Sequence, residues 1–542
     1  MLGSELVIRA LAREGVRTIF SLSGNQIMPL YDACIDAGIR IVHVRHEAAA
    51  VFMADAWAQV TGEIGVAMLT AGPGLSNGVA PLFSALHAES PLLLLSGDSP
   101  TSEDGMGSFQ ELDQATMTRP ATKLSRRVSS FDALRPSVHE AIAVAMAPRR
   151  GPVHLALPFD LLTAQVPDQD PAAPALGVEP RPVSDADLGV LGKLLTQAQR
   201  PVILAGPSAC RGHARPAWDA LTATLQAPVI AMESPRGLRD PSIGAAAQGI
   251  AQADVVVLAG KRLDFTLGFG KPGVFSANAQ VVVIDPDATL LERAHSLLGS
   301  RLCLALQADP IAALQALAQR QATSAPRHAW RQQVAQAVAS REQACPVSPP
   351  PGAIGSRHLC EQVQTLLAQA QEPILVCDGG EFGQWAQAFC RAPVRLINGV
   401  SGAIGGGICY AIAAKIARPQ ATVVVLMGDG TSGFHFMEFD TAVRENAPFV
   451  AVIGNDDRWN AEHLIQLRDY GEDRLIGCAL APTSRYESAA AALGALGCLV
   501  SEPDQLGPAL QAAVQCQTPA CVNVRISSQP APVFTTASAS VH

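Results

Sequence analysis

The chain has 542 residues, 48% of them hydrophobic, and a formal net charge of −9, with a mean hydropathy of +0.20. That composition supplies large cores and excludes a disordered chain, and its singly scattered Arg and Lys leave no basic stripe for nucleic acid. No run of about 18 apolar residues offers a membrane span, and the mixed-charge start MLGSELVIRALAREG lacks the apolar stretch of a signal peptide, so a cytoplasmic protein is expected.

At roughly 150 residues per domain, the length suggests three or four domains. In the first segment RTIFSL, RIVHV, IGVAMLT, PLLLLSG and PVHLALP read as strands, separated by helical patterns such as NQIMPLYDACIDAG, HEAAAVFMADAWAQVTG and SNGVAPLFSALHAES. The Pro-rich stretch from Val166 to Ser184 then reads as a linker. PVILAG, APVIAM, ADVVVLAG and AQVVVIDPD follow as strands, and a second Pro-rich stretch runs from Cys345 to Ser356. The third segment offers EPILVCDGG, ATVVVLMGDG, FVAVIGND and ACVNVRI. Uninterrupted Val, Ile and Leu runs suit parallel strands covered on both faces. The expected fold class is α/β, with three doubly wound domains at 1–165, 184–344 and 356–530. The 12 Cys include no Cys-x-x-Cys pair, so buried free thiols are expected rather than a zinc site or a disulfide framework.

Ligands of such sheets sit beyond the carboxyl ends of strands. Two polar triplets fall there in the third segment: Gly428-Asp429-Gly430 after ATVVVL, and Gly454-Asn455-Asp456 after FVAVI. Either tripeptide alone is common. Together, on strands that can lie about 5 Å apart, they place a carboxylate and an amide oxygen where both can reach one cation. Asp429, Asn455 and the carbonyl of Asp457 form an oxygen set suited to Mg²⁺ bridging to phosphate, and the flanking glycines let backbone approach a ligand and take unusual dihedrals.

This stretch, with the helix pattern ending TAVRENAP between its halves, resembles the cofactor motif of thiamine diphosphate-dependent decarboxylases, carboligases and acetolactate synthases. The resemblance implies that Asp429, Asn455 and the Asp457 carbonyl hold Mg²⁺ against the diphosphate, with Gly428, Gly430 and Thr431 beside it. VRHEAAAVFMADAWAQVTG resembles the family's glutamate motif, which makes Glu47 the acid–base group on the cofactor's aminopyrimidine. SLSGNQIMPLYDA resembles its first glycine turn, with Gly24, Asn25 and Gln26. TAGPGLSNGV resembles the turn containing Pro73 and Asn77. GSFQELDQATMTRPATK resembles the stretch in which Phe109 and Gln110 would face substrate. CDGGEFGQWAQAF brings Gly380, Glu381 and Phe382 to the diphosphate, and GVSGAIGGGICYAIAAKIA brings Ala403 and the bulky Ile404 that would bend the cofactor. The likeness spans about residues 1 to 530.

The chain also departs from that pattern. Glu381 and Phe382 stand where acetolactate synthases carry Gln-His, and Gly454 stands where the family shows a first Asn. Asp456 and Asp457 are expected to make the mouth more acidic. GKRLDFTLGFGKPG resembles oxalyl-CoA decarboxylases and 2-hydroxyacyl-CoA lyases more than flavin-binding synthases, which weighs against FAD. The implied activity is cleavage or formation of a C–C bond beside the carbonyl of a 2-oxo acid. The alternative is an acyl-CoA substrate, with Lys261, Arg262 and Lys271 as contributors to a phosphate pocket; read without that context they are surface charges. His46, His87, His435 and His463 are further pocket candidates, His463 foremost. The family resemblance further implies a homodimer or homotetramer with sites shared between subunits.

Overall fold

A computed structural model describes residues 1–165, 183–320, 326–343, 348–397 and 399–534. Of the two expected linkers, residues 166–182 and 345–347 lie outside these, as does Cys345.

Seventeen strands form three sheets. The first contains β1 (Thr18–Ser21), β2 (Arg40–His43), β3 (Gly65–Leu69), β4 (Leu92–Asp98), β5 (Leu124–Arg127) and β6 (Pro152–Pro158), in the order β2-β1-β3-β4-β6-β5. The second contains β7 (Pro201–Ala205), β8 (Val229–Ala231), β9 (Val255–Ala259), β10 (Gln280–Ile284) and β11 (Leu302–Leu306), ordered β11-β10-β9-β7-β8. The third contains β12 (Pro373–Asp378), β13 (Val394–Ile397), β14 (Thr422–Gly428), β15 (Val450–Asn455), β16 (Leu496–Val500) and β17 (Ala520–Arg525), ordered β13-β12-β14-β15-β17-β16. Every pairing between these strands is parallel. In each sheet the chain starts centrally, lays its second strand on one side and its third on the other. That reversal is the switch point at which doubly wound sheets bind ligands.

The first and third domains share one core. It runs from Phe20 and Val42 through Met53 to Ile408, Ile412 and Val425. Two helices cross in it, Glu47–Thr61 and Gly407–Ala417. Both are apolar on all sides and rich in Ala, as a helix buried all round requires. Polar groups between them are paired: Tyr410 Oη donates to Asp55 Oδ2 at 2.6 Å, and Gln59 Nε2 to Asp55 Oδ1 at 2.8 Å. The helix that begins at Glu47 is thereby fixed in position and direction. It ends at Gly62, whose φ of 79° is the left-handed cap that glycine takes without strain.

Two expectations need correction, one on a helix and one on the dihedrals of the glycines flanking Asp429. SNGVAPLFSALHAES is two helices, Pro73–Asn77 and Val79–Ala88, meeting at Gly78. The Gly-Asp-Gly stretch is the end of β14 leading into a single helical turn, Asp429–Ser432, and Gly428 takes an ordinary extended conformation with φ −73°.

Candidate active site

The third sheet gathers its polar strand ends at the switch point. Residues at the ends of β14 and β15 face each other directly, Gly428 against Gly454, so Asp429 and Asn455 leave adjacent strands together. Asp429 is 2% exposed, and its Oδ2 has no hydrogen-bond partner among the described residues. Burial pushes its pKa up to about 6, against the pull of the Gly430 backbone N–H and with a further push from Asp457. A buried carboxylate oxygen without a donor is costly unless something positive meets it. Asn455 is oriented by Asn523, whose Oδ1 accepts from Asn455 Nδ2 at 3.1 Å, while Asn523 Nδ2 donates to Glu487 Oε2 at 2.8 Å. This fixes Asn455 Oδ1 as the acceptor side of the amide, where the Asp457 N–H reaches it at 3.2 Å. Asp457 takes φ 58°, which turns the chain back, and its carbonyl accepts Leu480 N–H at 2.7 Å, leaving one lone pair.

The mouth is less acidic than the sequence suggests. Arg525, at the end of β17, pairs with the Asp457 carboxylate. Burial, reinforced by Asp429, pushes Asp456 up to about 7.

Two helix N-termini open on the same place, Glu381–Phe389 after β12 and the turn at Asp429 after β14. Their free N–H groups favour an anion. Close packing holds them: a Cβ on Gly379 would fall 2.1 Å from Thr431 Oγ1, and one on Gly430 would fall 2.8 Å from the Trp459 ring. The Glu381 carboxylate accepts Ala531 N–H at 2.6 Å, which leaves the backbone of Gly380, Glu381 and Phe382 as its neighbourhood's anion donors. The Phe382 ring is buried against Gly454, where a Cβ would come within 2.7 Å of it. Thus the two departures from the family pattern touch one another: the aromatic ring occupies the space that a side chain at 454 would need.

Asp378, the last residue of β12, is a positioning residue that sequence reading missed. Its carboxylate accepts the N–H groups of Gly405 at 3.1 Å and Gly407 at 2.6 Å. It fixes the loop carrying Ala403 and the half-buried Ile404. Its signal was an acidic residue closing an apolar strand. Asn523 gave a similar one, as a lone amide inside ACVNVRI.

In the first sheet, the polar ends belong to β2 and β3. Glu47 begins its helix just after β2, with His46 as the cap accepting Ala48 N–H at 3.1 Å. Asn77 Nδ2 donates to Glu47 Oε2 at 2.9 Å. Gly24 lies so close to Thr70 that a Cβ would fall 2.3 Å from the Thr70 Cβ, and Thr70 Oγ1 donates to Gln26 Oε1 at 2.6 Å. Asn25 and Pro73 are exposed at the starts of the helical turns that follow. Gln110, at φ 62°, packs on Gly72, and its Oε1 is buried without a partner among the described residues. Gln114 completes this turn, accepting Gly72 N–H and donating to Gly97 O at 2.9 Å. Phe109 is 73% exposed. Glu47, Asn77, Gly72 and Gln110 therefore form one group and Asp429, Asn455 and Asp457 another; no hydrogen bond between described residues joins the two.

Of the other candidates, His463 lines a small cavity with Asp457 and Arg458. His435 Nδ1 sits 2.7 Å from Gly405 O, with its ring against His46 and Phe52 at the contact between domains. His87 bonds Phe83 O, and His463 lies 3.2 Å from Arg458. Lys261 is no surface charge: it is 3% exposed and donates to Thr266 Oγ1, while Lys271 is exposed.

Comparison with known proteins shows the family. Residues 1–117 match the thiamine pyrophosphate enzyme N-terminal TPP binding domain, 190–317 the central domain and 378–524 the C-terminal TPP binding domain. The chain belongs to the thiamine pyrophosphate enzyme family. It is 34% identical to the acetolactate synthase large subunit IlvG of Mycobacterium tuberculosis, over 97% of this chain and 95% of that protein. It is 33% identical to the 2-hydroxyacyl-CoA lyase 2 of Bos taurus and of Homo sapiens, over 97% of this chain and 90% of each. Among the described residues, no helix is long and apolar enough to cross a membrane.

Proposed function

We propose that the protein is a thiamine diphosphate- and Mg²⁺-dependent enzyme that breaks or makes a C–C bond beside the carbonyl of a small 2-oxo acid. The observation that carries the reading is the orphaned, buried Oδ2 of Asp429 beside the oriented amide of Asn455 and two helix N-termini. Asp429 Oδ2, Asn455 Oδ1 and the free lone pair of the Asp457 carbonyl would hold Mg²⁺; the N–H groups at Gly380–Phe382 and Gly430 would take the diphosphate. When bound, the cofactor supplies the nucleophilic carbon and the electron sink. The chain's own part is to position and exchange protons. Glu47, oriented by Asn77, would hold and exchange a proton at its carboxyl with the aminopyrimidine. Ile404, on the loop fixed by Asp378, would supply apolar bulk beside the cofactor, and Gln110, whose Oε1 has no partner among the described residues, would face the substrate.

The central domain argues against a flavin. Asp285 follows β10, where a nucleotide ribose would be met, but Arg149 bonds its carboxylate together with Glu89 and the Gly260 carbonyl. The inward Lys261 likewise weakens the acyl-CoA reading. Large exposed apolar side chains, Met106, Phe109, Phe434 and Met437, lie on the first and third domains, which supports pairing of chains with shared sites in a dimer or tetramer.

Purified protein with cofactor and Mg²⁺ should convert members of a 2-oxo acid panel to aldehydes, acyloins or 2-hydroxy acids, read by mass spectrometry. Turnover of 2-hydroxyacyl-CoA alone would replace the substrate assignment. Mixing inactive Glu47→Gln and Asp429→Ala proteins after dissociation should restore part of the activity if sites are shared; no recovery in proven mixed dimers would place each site within one chain.

A further inference from the structure

A cleft of about 570 Å³ opens between the central and C-terminal domains, within the size range of small-molecule sites. It is separate from the site above. In the parallel third sheet that site lies at the carboxyl ends of strands, whereas the cleft is lined by Arg391 and Arg395, at the amino end of β13. Its other wall comes from the central domain: Arg215 and Trp218 on the helix Arg215–Leu225, Glu233 beyond β8, and Arg341.

Three polar atoms on this wall lack a hydrogen-bond partner among the described residues. Trp218 is 6% exposed with Nε1 unpartnered. Arg341 is equally buried; its Nη1 donates to Ser242 O at 2.9 Å while Nε has no acceptor. Glu233, 2% exposed, gives Oε1 to Arg395 at 3.0 and 2.7 Å, but Oε2 accepts no hydrogen bond and meets only Arg211, at 3.6 Å. Buried polar atoms are rarely left unpaired, and here all three belong to side chains that line one cavity.

Their chemistry defines a complement. Two orphan donors, an indole N–H and a guanidinium N–H, ask for an oxyanion. One orphan acceptor, Glu233 Oε2, asks for a hydroxyl or an ammonium. The lining carries four guanidiniums, those of Arg215, Arg341, Arg391 and Arg395, against the carboxylates of Asp219 and Glu233, so the cleft favours a net negative or zwitterionic guest. We infer that this cleft is a second ligand site, for a small carboxylate that also carries a hydroxyl or ammonium group, bound across the junction of the central and C-terminal domains. Its carboxylate lies between Trp218 and Arg341, and its donor meets Glu233. Because the two walls belong to different domains, an occupant ties them together and raises the stability of the folded chain in proportion to its concentration.

The full-length protein, loaded with cofactor, is titrated with lactate and malate in one arm, alanine and glutamate in a second, and inorganic phosphate in a third, followed by calorimetry and thermal midpoint. Saturable binding with a rising midpoint in the first or second arm is expected, and the arm that responds says whether a hydroxyl or an ammonium faces Glu233. Trp218→Phe keeps an aromatic ring but loses the pyrrole half of the indole with its N–H; Arg341→Lys keeps the charge but loses Nε and the Nη1 bond to Ser242 O. Each should fold with a modestly lower midpoint in the absence of probe and, by calorimetry, bind about tenfold more weakly, as expected for a lost hydrogen bond to a charged group. Glu233→Gln should weaken the ammonium arm more than the phosphate arm. No saturable binding in the first two arms, whether or not phosphate binds, or binding that both variants leave unchanged, overturns the assignment.

Discussion

The first and third domains are built on the same frame: six parallel strands in the same order, counted from each domain's own start. Each carries a buried Asp at the carboxyl end of a central strand, and both are 2% exposed: Asp98 closing β4 and Asp429 following β14. Burial raises both pKa values. Yet Asp98 is met by its own domain, with Arg127 Nε at 2.6 Å and Ser99 N–H at 2.8 Å, while Asp429 keeps an orphan oxygen. A buried carboxylate closed by an internal arginine is part of the structure. One left open is a socket for a cation the chain does not provide. The frame repeats; the chemistry lies in which charges are left unanswered.

The largest expected effect separates proton transfer from binding. Glu47→Gln keeps size and the hydrogen bond to Asn77 while losing the ionisable proton. Turnover should fall about 10²–10⁴-fold, with cofactor affinity nearly unchanged by calorimetry. Unaltered exchange of the cofactor's C2 proton by NMR would remove Glu47 from the acid–base role.

The second prediction crosses the two aspartates. Asp429→Ala should weaken cofactor binding in the presence of Mg²⁺ at least about 30-fold, since losing a buried charge partner costs about 2–5 kcal/mol. It should leave the thermal midpoint of the cofactor-free protein intact or raised. Asp98→Ala should do the reverse. It removes the Nε partner of Arg127 and costs about 1 kcal/mol of stability, less than for a fully buried pair because the Arg127 side chain is 30% exposed and keeps its pairing with Asp104 at 2.8 Å. Cofactor affinity should stay as it was. Equal effects of both substitutions on both measurements would erase the distinction.

The strands that sequence reading found and missed divide along the same physical lines. Every central strand was legible, because burial on both faces demands an unbroken apolar run. The four missed, β5, β11, β13 and β16, are all edge strands. Their sequences, such as LSRR and LCLAL, are only half-covered, and nothing forces them to be apolar. Among the proposed site residues, Glu47 was read through the family's glutamate motif, while Asp429 and Asn455 each interrupt the apolar pattern at a strand end. Asp378 and Asn523 also do so, but they act through the groups they hold, and no spacing rule reveals a partner distant in sequence. The contact between Phe382 and Gly454 was hidden for the same reason.

That contact gives a smaller prediction. Gly454→Asn restores the family's usual residue but drives a Cβ into the Phe382 ring, at 2.7 Å. It should cost about 1–3 kcal/mol by overpacking. Combined with Phe382→Ala, which opens the space, the double variant should be more stable than the two single losses predict, with a coupling of about 0.5–3 kcal/mol. Additive losses would mean that the two departures are independent.

The smallest effect tests the sixth strands of the two domains, each with one fully buried polar side chain: His154 on β6 and Asn523 on β17. Asn523 serves the site by orienting Asn455, and it cannot titrate. His154 lies in a closed hydroxyl cage, with Ser96 at 2.8 Å, Thr118 at 2.9 Å and Ser125 at 3.0 Å. Burial lowers its pKa from 6.5 to about 3. The folded protein therefore keeps His154 neutral while the unfolded chain takes up a proton once the pH drops below about 6.5, so the unfolded state binds more protons between those two values. Stability is then lost as pH falls through that window, by about 2 kcal/mol at pH 5. His154→Gln should lower stability at pH 7.5 by removing a satisfied group, yet show a shallower decline towards pH 5 than the parent, measured as thermal midpoints across the series. Asn523→Ala should run parallel to the parent over the same range and show its loss in Mg²⁺-dependent cofactor binding instead. Parallel acid profiles for His154→Gln and the parent would mean that the cage admits the proton, and that the first domain's buried polar residue is not held neutral.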